Sequence, residues 1–172
     1  LRERTGAERI ALVGVRLGAS LACQAVQDGL DADALVLWQP IVDGNLFYRL
    51  NIRRMLVRQM MMHGKASGAT DGGDDDATID LDGLLVKRSA CEEIKAIDLS
   101  GADALPAPTL LMQFAHNTDV SSELKPLVDR LGERDTFQPF VLEPFWNRIG
   151  YVDCAEPIDA SVSWLIARQD MD

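Results

Sequence analysis

Four short, nearly unbroken apolar runs govern what this chain can become: I-A-L-V at 10–13, A-L-V-L-W at 34–38, T-L-L-M-Q-F at 109–114 and F-Q-P-F-V-L at 137–142. A strand covered on one face alternates apolar with polar residues, whereas a strand covered on both faces does not. The runs therefore predict strands with helices on either side. Segments of helical character follow three of them, at Leu17–Gln27, Ser121–Leu131 and Pro157–Ala167. Strand alternating with helix implies the α/β class and a mainly parallel sheet flanked by helices. At 172 residues, 47% of them apolar, the chain is long enough for one domain with its own core.

The stretch between the second and third runs differs in character. Residues 41–105 read as an insertion, with core segments 1–40 and 106–172 on either side. Leu46–Met62 is rich in Leu, Ile and Met and carries Arg49, Arg53, Arg54 and Arg58 with no acid. Those arginines spread over about half a helical circumference, so no clean amphipathic helix is expected. Residues 68–76, G-A-T-D-G-G-D-D-D, read as a mobile acidic loop. Thr78–Leu85 reads as a small strand or hairpin turning at Asp82-Gly83. Ser89–Ala96 reads as a helix, with Ser89 as N-cap and Glu92 completing a capping box.

The turn after the first strand holds the sharpest chemical signal. Leu12–Ala19 reads L-V-G-V-R-L-G-A, with Gly14 and Gly18 at the spacing of the G-x-S-x-G nucleophile elbow. Arg16 stands where that motif has its serine. A guanidinium is never deprotonated in a protein, so it cannot attack a carbonyl.

The order strand, elbow, helix, strand, large insertion, strand, acid-bearing loop, helix, strand, loop, helix resembles the C-terminal half of the α/β-hydrolase fold. That resemblance implies that the insertion is a lid. It also implies that the segment P-A-P-T-L-L-M-Q-F-A-H-N-T-D-V carries the catalytic acid, at Asp119, and that the last loop carries the histidine. The last loop, E-P-F-W-N-R-I-G-Y-V-D at 143–153, has no histidine. Two of three catalytic positions are thus vacant. The phrases G-V-R-L-G-A (14–19), L-V-L-W-Q-P-I-V (35–42) and P-F-W (144–146) also resemble the exosortase A system-associated hydrolase 2 family. This narrower resemblance implies a bacterial protein, a link to exosortase and exopolysaccharide systems, and a cytoplasmic location.

Two readings of Arg16 stand side by side. It can help bind an anion, since a helix N-terminus favours negative charge and a guanidinium forks onto a carboxylate or phosphate. It can also bridge to Asp119 and fill the vacated triad space. Candidate ligand contacts around it are the amide of Leu17, Trp38 and Gln39 at the end of the second strand, and His116. Trp38 and His116 have plainer readings, as a core residue and a loop residue, and Asp119 as a helix cap. Ser20 lies past the exposed turn and is poorly placed as a substitute nucleophile, and Cys23 reads as core. Met55, Met60, Met61 and Met62 either line a greasy lid or pack it against the body. The nearby arginines meet an anionic head group, or solvent and Asp74–Asp76.

Composition excludes several classes. A net charge of −10 argues against nucleic-acid binding and against an anionic membrane surface. No apolar run approaches the roughly 18 residues of a transmembrane helix. Cys23, Cys91 and Cys154 form no C-x-x-C pair, and neither they nor His63 and His116 have metal-ligand spacing, so no metal and no cofactor is expected. The partner expected is a small molecule, anionic or acylated. The opening L-R-E-R-T-G, without Met and directly before an apolar strand, reads as a fragment lacking its N-terminal part. On that reading the edge of the first strand is left open.

Overall fold

The computed structural model describes residues 2–63, 78–81, 84–101, 105–147 and 150–169. In order, the elements are α1 (Arg2–Thr5), β1 (Ala11–Val15), α2 (Leu17–Gln27), β2 (Ala34–Trp38), α3 (Gly44–His63), β3 (Thr78–Leu81), β4 (Leu84–Lys87), α4 (Arg88–Ala96), β5 (Thr109–Ala115), α5 (Lys125–Val128), β6 (Thr136–Val141) and α6 (Ala155–Gln169), with a 3-10 turn at Phe145–Asn147 before α6. They divide into two compact units, one of Leu1–Val42 with Leu99–Asp172 and one of Asp43–Asp98.

The first unit is built on a four-stranded sheet in the order β1-β2-β5-β6, parallel throughout. The unalternating runs find their cause here. All five residues of β2 and the first six of β5 are buried, because these central strands are covered on both faces. Val36, Trp38, Leu110, Met112, Phe114 and Phe140 form one core cluster, against which Trp146, Trp164 and Leu165 pack. The aromatic rings interlock: Phe114 stacks on Phe140 at 5.7 Å and meets Trp146 edge-on at 6.0 Å. Geometries of this kind add roughly 1 kcal/mol each to the burial of the rings.

The two outer strands read differently. Pro139 sits in β6, an edge strand, where a missing N–H costs no ladder bond. Among the described residues β1 pairs with β2 alone, and Val13 and Val15 are exposed. The cover on both faces expected for the first strand is not found, because Ala11, Val13 and Val15, on one face of β1, are exposed.

One helix is shorter than the sequence suggests. The helix expected over Ser121–Leu131 is a single regular turn, α5, entered through a turn at Ser122–Leu124. Pro126 is the reason, since its ring and missing N–H confine it to the first turn of a helix.

The second unit contains α3, the β3–β4 hairpin and α4. β3 and β4 pair antiparallel, Thr78 opposite Lys87 and Leu81 opposite Leu84. The expected turn at Asp82-Gly83 and the expected acidic loop lie outside the described residues. The capping box at Ser89 is not formed. β4 runs straight into α4, so Lys87, in extended conformation, takes the N-cap position without a side-chain cap, and Ser89 falls inside the helix. Glu92 instead accepts from Lys95 Nζ at 2.6 Å and holds that lysine's pKa above its ordinary value.

Candidate functional site

The site lies at the C-terminal ends of the parallel strands, where α/β sheets gather their ligand contacts. β1 ends at Val15, and Arg16 turns the chain into α2 with φ 52° and ψ −120°. A side chain rarely adopts such a backbone, and the cost is of order 1–3 kcal/mol. Gly14 makes the turn geometrically feasible. A Cβ there would lie 2.5 Å from the Cα and N of Ala19 and from the Gly18 carbonyl. Gly18 has no such duty, because a Cβ added to it meets nothing within 4 Å.

The turn is tied to its neighbour strand. Arg16 N donates to the Trp38 carbonyl at 2.9 Å, continuing the β1–β2 ladder. Ser20 is fully buried; its hydroxyl donates to the Ile41 carbonyl at 2.8 Å and accepts the Ile41 amide at 2.8 Å. It therefore fastens α2 to the chain leaving β2. That bonding explains the residue without any role as a nucleophile.

Gln39, Trp146 and Glu123 all approach the Arg16 side chain. Nη1 donates to the Gln39 carbonyl at 3.1 Å, and the guanidinium carbon lies 4.7 Å from the centroid of the Trp146 ring. Nη1 also comes within 3.7 Å of Glu123 Oε1, with the two side chains 22% and 42% exposed. An ion pair of that separation and exposure contributes about 0–1 kcal/mol. The stacking on Trp146 contributes a similar amount, roughly 0.5–1 kcal/mol or somewhat more as water is excluded. At the N-terminus of α2, Arg16 O accepts the amides of Ala19 and Ser20. Among the described residues the amides of Leu17 and Gly18 donate to no protein acceptor, and the first turn contains no acid. Two open N–H groups, a helix dipole and a guanidinium thus lie together.

The residues expected at the site separate. Arg16, Leu17 and Gln39 come together at the elbow. Gln39 is buried at φ 44°; its N donates to Met112 O and its side-chain Oε1 accepts the Phe114 amide at 2.9 Å. Trp38 belongs to the core, with its ring 5.3 Å from that of Phe114 and its Nε1 donating to Ser161 Oγ at 3.0 Å. His116 and Asp119 are exposed on the loop after β5. The expected bridge from Arg16 to Asp119 is replaced by the approach of Glu123. Asp119 contributes its main chain: its carbonyl accepts from Gln113 Nε2 at 2.7 Å, and its amide donates to Asn117 Oδ1 at 3.2 Å.

Three residues at the site escaped the sequence reading. Gln113 is fully buried on β5 and holds the exit of the acid-bearing loop, donating to Asp119 O and accepting Ser121 N at 2.8 Å. Its signal was a lone amide inside an apolar strand. Trp146 had a signal too, an aromatic in the final loop beside an unmatched cation. Glu123 had none, because its position depends on the path of the loop.

No protein-family model and no curated protein matches the sequence. Among solved structures, the chain is similar to an esterase domain from a Rhodothermus marinus protein, with 17% identity over 80% of this chain and a TM-score of 0.51. This chain spans about half of that domain, 53% of its length. A proline iminopeptidase from Mycobacterium smegmatis aligns with 98% of this chain and 68% of its own, at 13% identity and a TM-score of 0.45. The likeness to the esterase domain shows the fold: the chain has a partial α/β-hydrolase fold, a mostly parallel sheet flanked by helices.

Proposed function

We propose that this chain binds a small anionic or acylated molecule at the Arg16 elbow and performs no serine-type acyl transfer. The observation that carries the reading is the Arg16 guanidinium itself, seated on Gln39 O and Trp146 at the position from which an α/β-hydrolase would present its nucleophile. A carboxylate entering here takes the fork of the guanidinium, with the open amides of Leu17 and Gly18 beside it. Glu123, held by a long and exposed contact, is the group it displaces. No group at the elbow can act as a nucleophile, and the last loop, residues 143–153, offers no histidine to serve as a base.

The narrower likeness of G-V-R-L-G-A, L-V-L-W-Q-P-I-V and P-F-W to exosortase A system-associated hydrolases supports a place beside bacterial exosortase and exopolysaccharide machinery, in the cytoplasm. In this reading the insertion, residues 41–105, has the role of a lid.

Two assays test the proposal together. Calorimetric titration with hexanoate should give saturable binding that Arg16→Ala abolishes. Hydrolysis of p-nitrophenyl butyrate should stay at the uncatalysed rate, and a fluorophosphonate should label no serine. Robust turnover lost in Asp119→Ala would overturn the proposal in favour of a hydrolase with a different nucleophile.

A further inference from the structure

One face of the four-stranded sheet is covered only in part. Trp164 and Leu165 of α6 pack on its core cluster, which includes Val36 and Trp38 of β2. α6 straddles β5. On one side of that strand Trp38 Nε1 donates to Ser161 Oγ at 3.0 Å, and on the other Trp164 Nε1 donates to Thr136 Oγ1 of β6 at 3.0 Å. β1 lies two strands from β5, roughly 10 Å at the usual strand spacing, whereas a helix with its side chains reaches about 5–6 Å from its axis. The cover stops short of β1.

The register identifies what is left bare. Val13 pairs with Val36 and Val15 with Trp38, so both point to the α6 face, while Gly14 faces α2 through Ala19. Val13 and Val15 are 58% and 39% exposed, and Ala11 is exposed on the same face. The flank of α6 turned to β1 is apolar as well. Around the helix, the direction that leads from Trp164, at β6, to Ser161, at β2, leads on to Leu165, Ile158 and Val162. Ile158 and Val162 are about half exposed, and the polar Asp159 and Ser163 come only later round the turn. β1 and α6 run side by side in opposite directions, since Arg9, two residues before β1, donates from Nη1 to the Arg168 carbonyl at 3.0 Å. They border an apolar lane that is about 13 Å long on β1 and about 10 Å on α6.

The lane leads to the elbow. Arg16 follows Val15 directly, and Trp146, whose ring centroid is 4.7 Å from the guanidinium carbon, packs on the same core cluster as α6. The cation thus stands at one end of the lane, on the same face of the sheet.

We propose that the anion taken at the elbow is a medium-chain fatty acid, with its alkyl chain lying in this lane. The inference rests on the reading of Arg16 as an anion holder. The carboxylate meets the guanidinium and the amides of Leu17 and Gly18, and the chain passes Val15 and Val13 towards Ala11, with Ile158 and Val162 alongside. An exposed apolar patch marks a contact surface without naming its partner. Here a cation at one end and apolar side chains along the rest match an amphiphile with a single anionic head. A chain of roughly eight to ten carbons fills the length.

Calorimetric titration of the whole chain with hexanoate, octanoate, decanoate and dodecanoate tests the proposal. For methylenes covered on one side, affinity should rise about twofold per carbon, so decanoate should bind roughly tenfold more tightly than hexanoate. The gain should level off beyond about ten carbons, where the lane ends. Val13→Thr with Val162→Thr keeps shape and charge but makes the lane polar. It should reduce the advantage of decanoate to about threefold or less and leave hexanoate affinity unchanged. Both positions are exposed, and circular dichroism checks that the variant is folded. Hexanoate binding that needs Arg16, with decanoate no tighter, would overturn the lane and spare the elbow reading. Hexanoate binding indifferent to Arg16→Ala would overturn both. A decanoate advantage untouched by the threonine pair, or self-association that shields Val13 and excludes decanoate, would also overturn the lane.

Discussion

Arg16 and Gln39, the two non-glycine residues with positive φ among the described residues, sit at the ends of adjacent strands and are joined by a hydrogen bond of 3.1 Å from Arg16 Nη1 to Gln39 O. Strained backbone of this kind persists only where the surroundings over-determine it, and it gathers at functional sites. Here the restraint is visible. Gln39 is pinned on both sides by β5, through Met112 O and the Phe114 amide, and it in turn holds the Arg16 side chain. A glycine at position 16 would carry no strain. Arg16→Gly is therefore expected to be more stable than Arg16→Ala by roughly 1–2 kcal/mol, although alanine is the better residue within a helix. Urea denaturation of the two variants measures the difference, and an alanine variant at least as stable would contradict strain at the elbow.

The two elbow glycines should respond in opposite ways. Gly14→Ala places a methyl against backbone at 2.5 Å, which neither α2 nor the turn can relieve without shifting. A loss of about 3 kcal/mol or more is expected. Gly18→Ala fills open space in the first turn of α2, and a gain of up to about 1 kcal/mol is expected. Thermal melting distinguishes them, and equal damage from both would mean that the elbow packs differently.

Gln113 provides a third test. Gln113→Leu preserves bulk in the strand but leaves Asp119 O and Ser121 N without their partner. The expected cost is roughly 1–3 kcal/mol, since two polar groups lose a part-buried hydrogen bond. Hydrogen exchange at the Ser121 amide should accelerate well beyond that in β5. An unchanged amide would show that the loop holds its shape without Gln113.

The residues differ in how plainly they announced themselves. The two central strands were legible because burial on both faces removes alternation, whereas β1 is apolar in sequence yet exposed on one face; Ala34–Trp38 and Leu17–Gln27 fall within their expected limits. Ser89 misled because the capping motif is local, whereas the length of the preceding strand decides where the helix begins. Arg16 stood out as an unmatched cation in a turn of recognisable spacing. Its contacts did not, because Gln39 acts through its carbonyl and Glu123 reaches the site by way of a loop that Gln113 shapes. Main-chain acceptors and loop paths leave little trace in residue type.

Cys23 sets an alkaline limit on stability. Burial pushes its thiol from an ordinary 9.0 up to about 11, and the nearby Arg130 offsets only part of that. The folded state thus holds the proton more tightly than the unfolded chain. The associated stability is fully present below about pH 9 and is lost as pH rises towards 11, by on the order of 2 kcal/mol. Urea midpoints of the wild type should fall across that window relative to those of Cys23→Ala. Parallel curves would contradict the burial argument. At neutral pH, Ellman's reagent should leave Cys23 unmodified until the chain unfolds.

The central claim is that Arg16 serves to hold an anion. The most direct measurement is the nitrogen–proton NMR correlation of the Arg16 Nε–H, assigned by its absence in Arg16→Lys, during titration with hexanoate. A saturable shift of that resonance is expected, with matching shifts at the amides of Leu17 and Gly18. Affinity should fall with added salt and rise severalfold in Glu123→Gln, which removes the competing carboxylate. No shift at these three groups, or equal hexanoate affinity in Arg16→Ala, would contradict the account.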